Sequence, residues 1–267
     1  MQGLVQRLWP AHCHIGDLAW QRTQHLGRED EWPTALWWRG DDVVGWGWTH
    51  LPGHLDFLTA DPATADEILT WFAETATADR RTVTVADNEP VLLHALARHG
   101  YRPADEHVHH YLARDLTDLP DPAPPPGYAL HPAEDLRRRA DVHRAAWHPS
   151  RVTEDSYRVV SATWPYRGEL DWVASTADGS YAASCLVWLD EANAVGELEP
   201  VGTDPAHRGL GLGRAVCLAA LHALRDSGAR TAVVFPVDSP PAHPGAMALY
   251  RALGFREYAR SRTFASG

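Results

Sequence analysis

Two stretches of the chain alternate apolar and polar residues about a short polar turn. Thr34–His50, TALWWRG-DD-VVGWGWTH, predicts two strands around Asp41-Asp42. Leu170–Asp190, LDWVAST-ADG-SYAASCLVWLD, predicts a second hairpin turning at Asp178-Gly179. The same succession of signals follows each. After the first, HLDFLTADP predicts a strand ending at Pro62, and a helix from about Ala65 to Thr77 sets Ile68, Leu69 and Phe72 on one face. The strand RTVTVAD, the helix EPVLLHALARHGY and the strand VHHYLARDL come next. After the second, the strand VGELEPVGTDP ends at Pro205 and a helix runs from about Gly211 to Ser227. The strand RTAVVFPV, the helix GAMALYRALGF and a last strand near REYARSRTF complete the series. This shared order, with LTADP beside VGTDP and ALARHGY beside YRALGF, predicts a duplicated α+β unit. Each copy is a mixed, mostly antiparallel sheet flanked by helices.

Between the series lies LPDPAPPPGY, Leu119 to Tyr128. Its prolines 120, 122, 124, 125 and 126 forbid a helix or central strand and favour a stiff connector. The expected division is therefore residues 1–118, a linker 119–127, and residues 128–267. A chain of 267 residues, 45% of them apolar, can bury a core in each part. The net charge of −11 disfavours a nucleic-acid partner, since phosphate backbones reward clustered Lys and Arg. Cys13, Cys185 and Cys217 are too few and too scattered for a disulfide framework. No signal-peptide pattern and no run of membrane-span length is present. The expectation is a soluble cytoplasmic protein, a monomer or homodimer, with neither nucleic acid nor membrane as partner.

The chemistry concentrates in TDPAHRGLGLGR, Thr203 to Arg214. Gly209, Gly211 and Gly213 stand between a predicted strand and helix, where glycine permits positive φ and close approach of backbone to a ligand. Unpaired N–H groups at a helix start form an anion seat, and Arg208 and Arg214 add positive charge. A phosphate or pyrophosphate fits. The spacing is neither the G-x-G-x-x-G of dinucleotide folds nor a P-loop.

These residues resemble the GNAT family of N-acetyltransferases. The family's R-x-x-G-x-G/A motif has its counterpart in Arg208, Gly211 and Gly213, and its V-x-P segment in Thr203-Asp204-Pro205. Its A-x-x-L-Y-x-x-L-G-F motif is matched at every fixed position by AMALYRALGF, Ala246 to Phe255. The first series resembles a decayed copy, with DPATADEI where the loop should be. The tandem arrangement and the GELEPVGTDP segment are similar to those of the mycothiol synthase family of actinobacteria. The resemblance implies acetyl-CoA as co-substrate and no metal, with a cleft where strands four and five splay apart. The pyrophosphate would lie on the amides of Gly209, Leu210, Gly211, Leu212, Gly213 and Arg214, and the pantetheine arm along Glu199–Thr203, including Val201, Gly202 and Thr203.

The resemblance also implies roles. Glu197 takes the place of the family's strand-four base; Glu199, two residues on and on the same face, is the second candidate, and water a third route. The oxyanion donor is expected to be the Val201 N–H, because Pro200 has none. Tyr250 is the candidate acid for the CoA thiolate, against a plain core role among Met247, Leu249 and Leu253. His243 stands where the family often has an asparagine that bonds the pantetheine.

Other clusters give less. HCH (His12–His14) and HVHH (His107–His110) lack a zinc-like spacing of partners. Trp37, Trp38, Trp46 and Trp48 suit a core or a domain interface. Trp147, His148, Trp164 and Tyr166 could line an acceptor pocket that holds an amine near Asp155 or Glu169. Arg137, Arg138 and Arg139 read as a solvated helix surface. The leading function is an acetyl-CoA-dependent N-acetyltransferase acting on a primary amine of a small molecule. Acetylation of a cysteinyl amine is a specific variant, and a non-catalytic acyl-CoA sensor or scaffold is the alternative of a different class.

Overall fold

The computed structural model describes residues 1–10, 13–104, 108–238 and 245–267. The first series of elements is α1 (Gln2–Leu8), α2 (Ile15–Thr23), β1 (Thr34–Arg39), β2 (Asp42–His50), β3 (His54–Thr59), α3 (Pro62–Thr75), β4 (Arg81–Ala86), α4 (Pro90–Arg98), β5 (Arg102–Pro103) and β6 (Val108–Asp115). The second is β7 (Tyr128–Pro132), α5 (Leu136–Ala146), α6 (Glu154–Ser161), β8 (Asp171–Thr176), β9 (Tyr181–Asp190), β10 (Val195–Thr203), α7 (Leu212–Asp226), β11 (Thr231–Val234), β12 (Val237–Asp238), α8 (Ala246–Ala252) and β13 (Arg256–Ser266). Both predicted hairpins form, with β1 antiparallel to β2 and β8 antiparallel to β9. α3 begins three residues before the pattern suggested. Asp61 caps it by accepting from the Thr64 N–H at 2.8 Å, and Pro62 occupies the first turn, where no N–H is needed.

The strands form one sheet in the order β1-β2-β3-β4-β13-β6-β11-β10-β9-β8-β7. β6 and β13, each the last strand of its own series, have crossed over. β6 runs antiparallel to β11, β13 runs antiparallel to β4, and the two pair with each other. Each series therefore ends on a strand supplied by the other.

β9 is buried along its whole length. α7 covers one face, placing Val216, Cys217, Leu221 and Leu224 against Cys185, Val187 and Leu189. α2, α5 and α6 cover the other, with Trp20, Tyr157 and Val160 around Leu186 and Trp188. A strand with helices on both faces loses the alternating pattern of a one-sided sheet. α2 comes very close: a Cβ on Gly16 would lie 2.2 Å from the Trp188 side chain, so only glycine allows this packing. α2, from the first series, is thereby seated on the strands of the second.

The arginine run of α5 departs from expectation. Arg137 and Arg138 are exposed, but Arg139 is fully buried and pairs with the equally buried Asp171 at 2.8 Å. Tyr157 donates to the same carboxylate at 2.5 Å and Tyr166 at 3.3 Å. The helical turn carries the third arginine to the inner face, where a buried partner outweighs the usual rule that charges stay in water.

Candidate active site

β10 pairs with β11 in parallel only over Val195–Glu197, ending at Glu197↔Val233. Beyond that point the strands part, while β10 keeps its antiparallel partner β9 through Val201–Thr203 after an irregularity between Leu198 and Val201. A cavity of ≈ 820 Å³ opens at the divergence. Val201, Gly202 and Thr203 wall it on one side and Val234–Val237 on the other.

The glycine loop closes one end. Arg208, Gly209, Gly211, Leu212, Gly213 and Arg214 all line the cavity; Leu210 is half-exposed beside it. Gly209 and Gly211 have φ of +80° and +81°, the left-handed region that favours glycine. A Cβ at either would meet no atom within 4 Å, so the space above the loop is open. Gly211 stands at the N-cap of α7, with no side-chain cap and no acidic residue in the first turn. The helix's first N–H groups and positive dipole end are left for an anion. Arg208 fastens the loop, donating to Thr203 O at 3.2 Å and Ala146 O at 3.1 Å. Arg214 is exposed.

Glu197, Glu199 and Tyr250 line the same cavity. Burial pushes the Glu197 carboxyl up to about 8, against a hydrogen bond from the Asp17 backbone that works the other way. Its Oε2 is buried without a hydrogen-bond partner, 3.3 Å from His14 Nδ1, which accepts from the Gly16 N–H. Burial pushes His14 down to about 4, so it is neutral and offers the carboxylate no charge. Glu199 is raised well above the ordinary range by burial and by the charges of Glu197 and Asp17. The Tyr250 phenol is raised by burial and by Cys217, Cys185 and Glu199 nearby. Two carboxyls raised by burial and a raised phenol form a set suited to proton transfer.

The first series supplies the far wall, which the sequence did not announce. Asp17, Leu18 and Gln21 come from α2, Trp46, Trp48 and His50 from β2, and His54 and Asp56 from β3. Burial raises Asp56, but hydrogen bonds from His50 (2.8 Å) and His54 outweigh it and hold the carboxyl well below its usual range. The tryptophan-rich hairpin was the available signal. Trp46 and Trp48 are buried on this wall, whereas Trp37 packs on Trp71 and Trp38 is exposed.

Of the residues expected near an acceptor, Trp147 lines the cavity. His148 is exposed, Trp164 is 54% exposed, and Tyr166 turns inward to Asp171 and Trp188; none of the three lines it. Asp155 and Glu169 are exposed partners of Arg158 and Arg167. His243, His12 and His107 lie outside the described residues. Among the described residues no group of three or more His, Cys, Asp or Glu side chains could hold a metal ion, and no helix is long and apolar enough to cross a membrane.

Residues 134–255 match the model of the acetyltransferase (GNAT) family. The mycothiol acetyltransferase of Cellulomonas flavigena is 33% identical over 144 residues, 46% of this chain and 40% of that protein. That of Saccharomonospora viridis is 28% identical over 71% of this chain and 66% of its own length. The chain thus spans between 40% and 66% of these relatives. The GCN5-related N-acetyltransferase from Sphaerobacter thermophilus shares the fold with a TM-score of 0.65 at 18% identity, over 98% of this chain and 91% of that one. A tandem GNAT protein from the clavulanic acid biosynthesis pathway does so with a TM-score of 0.62 at 19% identity, over 95% and 87%. The similarity to the acetyltransferase (GNAT) family thus lies in residues 134–255.

Proposed function

We propose that the protein transfers the acetyl group of acetyl-CoA to the primary amine of a small molecule, by direct attack within a ternary complex. The parting of β10 from β11 after Glu197↔Val233 carries this reading, because it joins the glycine loop to Glu197, Glu199 and Tyr250 in one cavity. The open space over Gly209 and Gly211 and the uncapped start of α7 fit a pyrophosphate. Acetyl-CoA supplies an acetyl thioester. Val201 N–H holds its carbonyl oxygen, and the β10 edge over Val201–Thr203 orients the arm. Glu197, with Glu199 beside it, takes the proton that the amine sheds as nitrogen bonds the acetyl carbon. Tyr250 gives a proton to the sulfur as the C–S bond breaks, leaving an amide and a free CoA thiol.

The likeness to proteins named mycothiol acetyltransferase favours a cysteinyl amine as one specific acceptor. We further propose two GNAT-like units, residues 1–118 and 128–267 joined by 119–127, each completed by the other's last strand. Only the second carries the glycine loop. Buried free thiols at Cys13, Cys185 and Cys217 suit a reducing cytoplasm.

Thiol release from acetyl-CoA, screened against amino acids, polyamines, aminoglycosides and cysteinyl glycosides, tests the activity. Release with at least one amine is expected, and Tyr250→Phe should lower kcat by about 10²-fold with KM for acetyl-CoA little changed. Binding of acetyl-CoA without release for any amine would instead make the protein an acyl-CoA sensor. An unchanged kcat would remove Tyr250 from the proton path.

A further inference from the structure

A second cavity, ≈ 350 Å³, is lined by Glu199 as well. Glu199, Gln21 and Trp147 line both cavities, so the two adjoin just past the end of the β10–β11 pairing. The walls are aromatic: His143 packs edge-on to Trp20 at 5.1 Å and stacks beside Trp147. The rim is cationic, with Arg28 and Arg151 flanking His25.

The charges there are those of an anion seat. Arg151 is exposed and holds no hydrogen bond or ion pair among the described residues. Arg28 is steadied by Glu31, to which its Nε donates at 2.8 Å, and by the Trp32 ring at 5.4 Å. Burial and the two arginines push His25 down, and burial with Arg139 pushes His143 down to about 3. His25 Nδ1 is buried without a hydrogen-bond partner. A guanidinium fork matches the two oxygens of a carboxylate or the oxygens of a phosphate, and a pocket of this size takes a molecule of amino-acid dimensions.

We propose that this second cavity is the acceptor pocket and selects a small amine that carries a carboxylate or phosphate, its anionic end on Arg151 and Arg28 and its nitrogen at Glu199. The proposal rests on the acetyl-transfer reading. It places the acceptor in a cavity that no glycine-loop residue lines, so each substrate has its own space. Because Glu31 bonds Arg28 directly and feels Arg151 only through space, Arg151 carries the larger share of the selection.

Calorimetric titration of the full chain saturated with CoA tests it, using two matched pairs: β-alanine against β-alaninamide, and phosphoethanolamine against ethanolamine. The member of at least one pair that carries the anionic group should bind about tenfold tighter than the partner that lacks it. The pair with the larger difference separates carboxylate from phosphate. Arg151→Gln should erase most of that difference and leave CoA binding unchanged. Equal affinity within both pairs, equal weakening of amines with and without the anionic group by Arg151→Gln, or no binding of either anion-bearing amine up to about 10 mM overturns the proposal. Thiol release from acetyl-CoA, followed with the same amines on samples free of added CoA, separates the two levels. Selective binding without release sinks the transfer reading and keeps the anion seat; release without selectivity does the reverse.

Discussion

Glu197 shows how strongly burial rewrites a side chain. A carboxyl at about 8 is mostly protonated at pH 7, so a base role requires turnover to rise with pH until Glu197 ionises. The same shift has a cost in stability. The unfolded chain releases this proton near the ordinary value of 4.5, the folded chain not until about 8, so rising pH between them favours unfolding. Glu197→Gln removes that slope. The variant should gain on the native protein, by on the order of a few kcal/mol, between pH 5 and pH 8 in urea denaturation. An equal difference at both pH values would mean that the carboxyl is not shifted. His14 and His143, held at about 4 and about 3, work in the opposite direction. They stay neutral while unfolded histidines charge, so stability falls as pH drops below about 6.5.

At the scale of elements, buried ionic contacts and close backbone approaches decide what sits where. α5 and β8 are joined by Arg139 and Asp171, both inaccessible to solvent. Asp171→Ala leaves the guanidinium buried without its counter-charge, an expected loss of about 3–5 kcal/mol. Arg137→Ala, on the exposed face of the same helix, should stay within about 0.5 kcal/mol. A loss below about 1 kcal/mol for Asp171→Ala would show that the pair does not hold the helix. This pair also marks a limit of pattern reading. Three consecutive arginines look solvated by composition, and only the partner on β8, distant in sequence, reveals the inward one. The hairpins, α3, β10, α7 and α8 were legible because their periodicity, caps and turn residues are local. α2 was not, because Ile15, Leu18 and Trp20 bury against elements far along the chain. The crossing of β6 and β13 was equally hidden, since alternation predicts a strand and says nothing of its neighbour.

Over the whole molecule, the exchange of last strands brings both series to one cavity. The glycine loop, Glu197, Glu199 and Tyr250 could be picked out from spacing and motif, and they line a common space. The opposite wall, with Trp46, Trp48 and the His50–Asp56–His54 group, could not, because nothing local ties a tryptophan hairpin to a loop more than 150 residues away. The central claim is that this space, with Gly211 at its floor, takes an acyl-CoA. Calorimetric titration of acetyl-CoA into the native protein and Gly211→Val tests it most directly. Micromolar binding by the native protein is expected, at least about tenfold weaker in the variant, since the added side chain enters the open space over the loop. No binding by the native protein up to about 1 mM, or the same affinity in Gly211→Val, would contradict it.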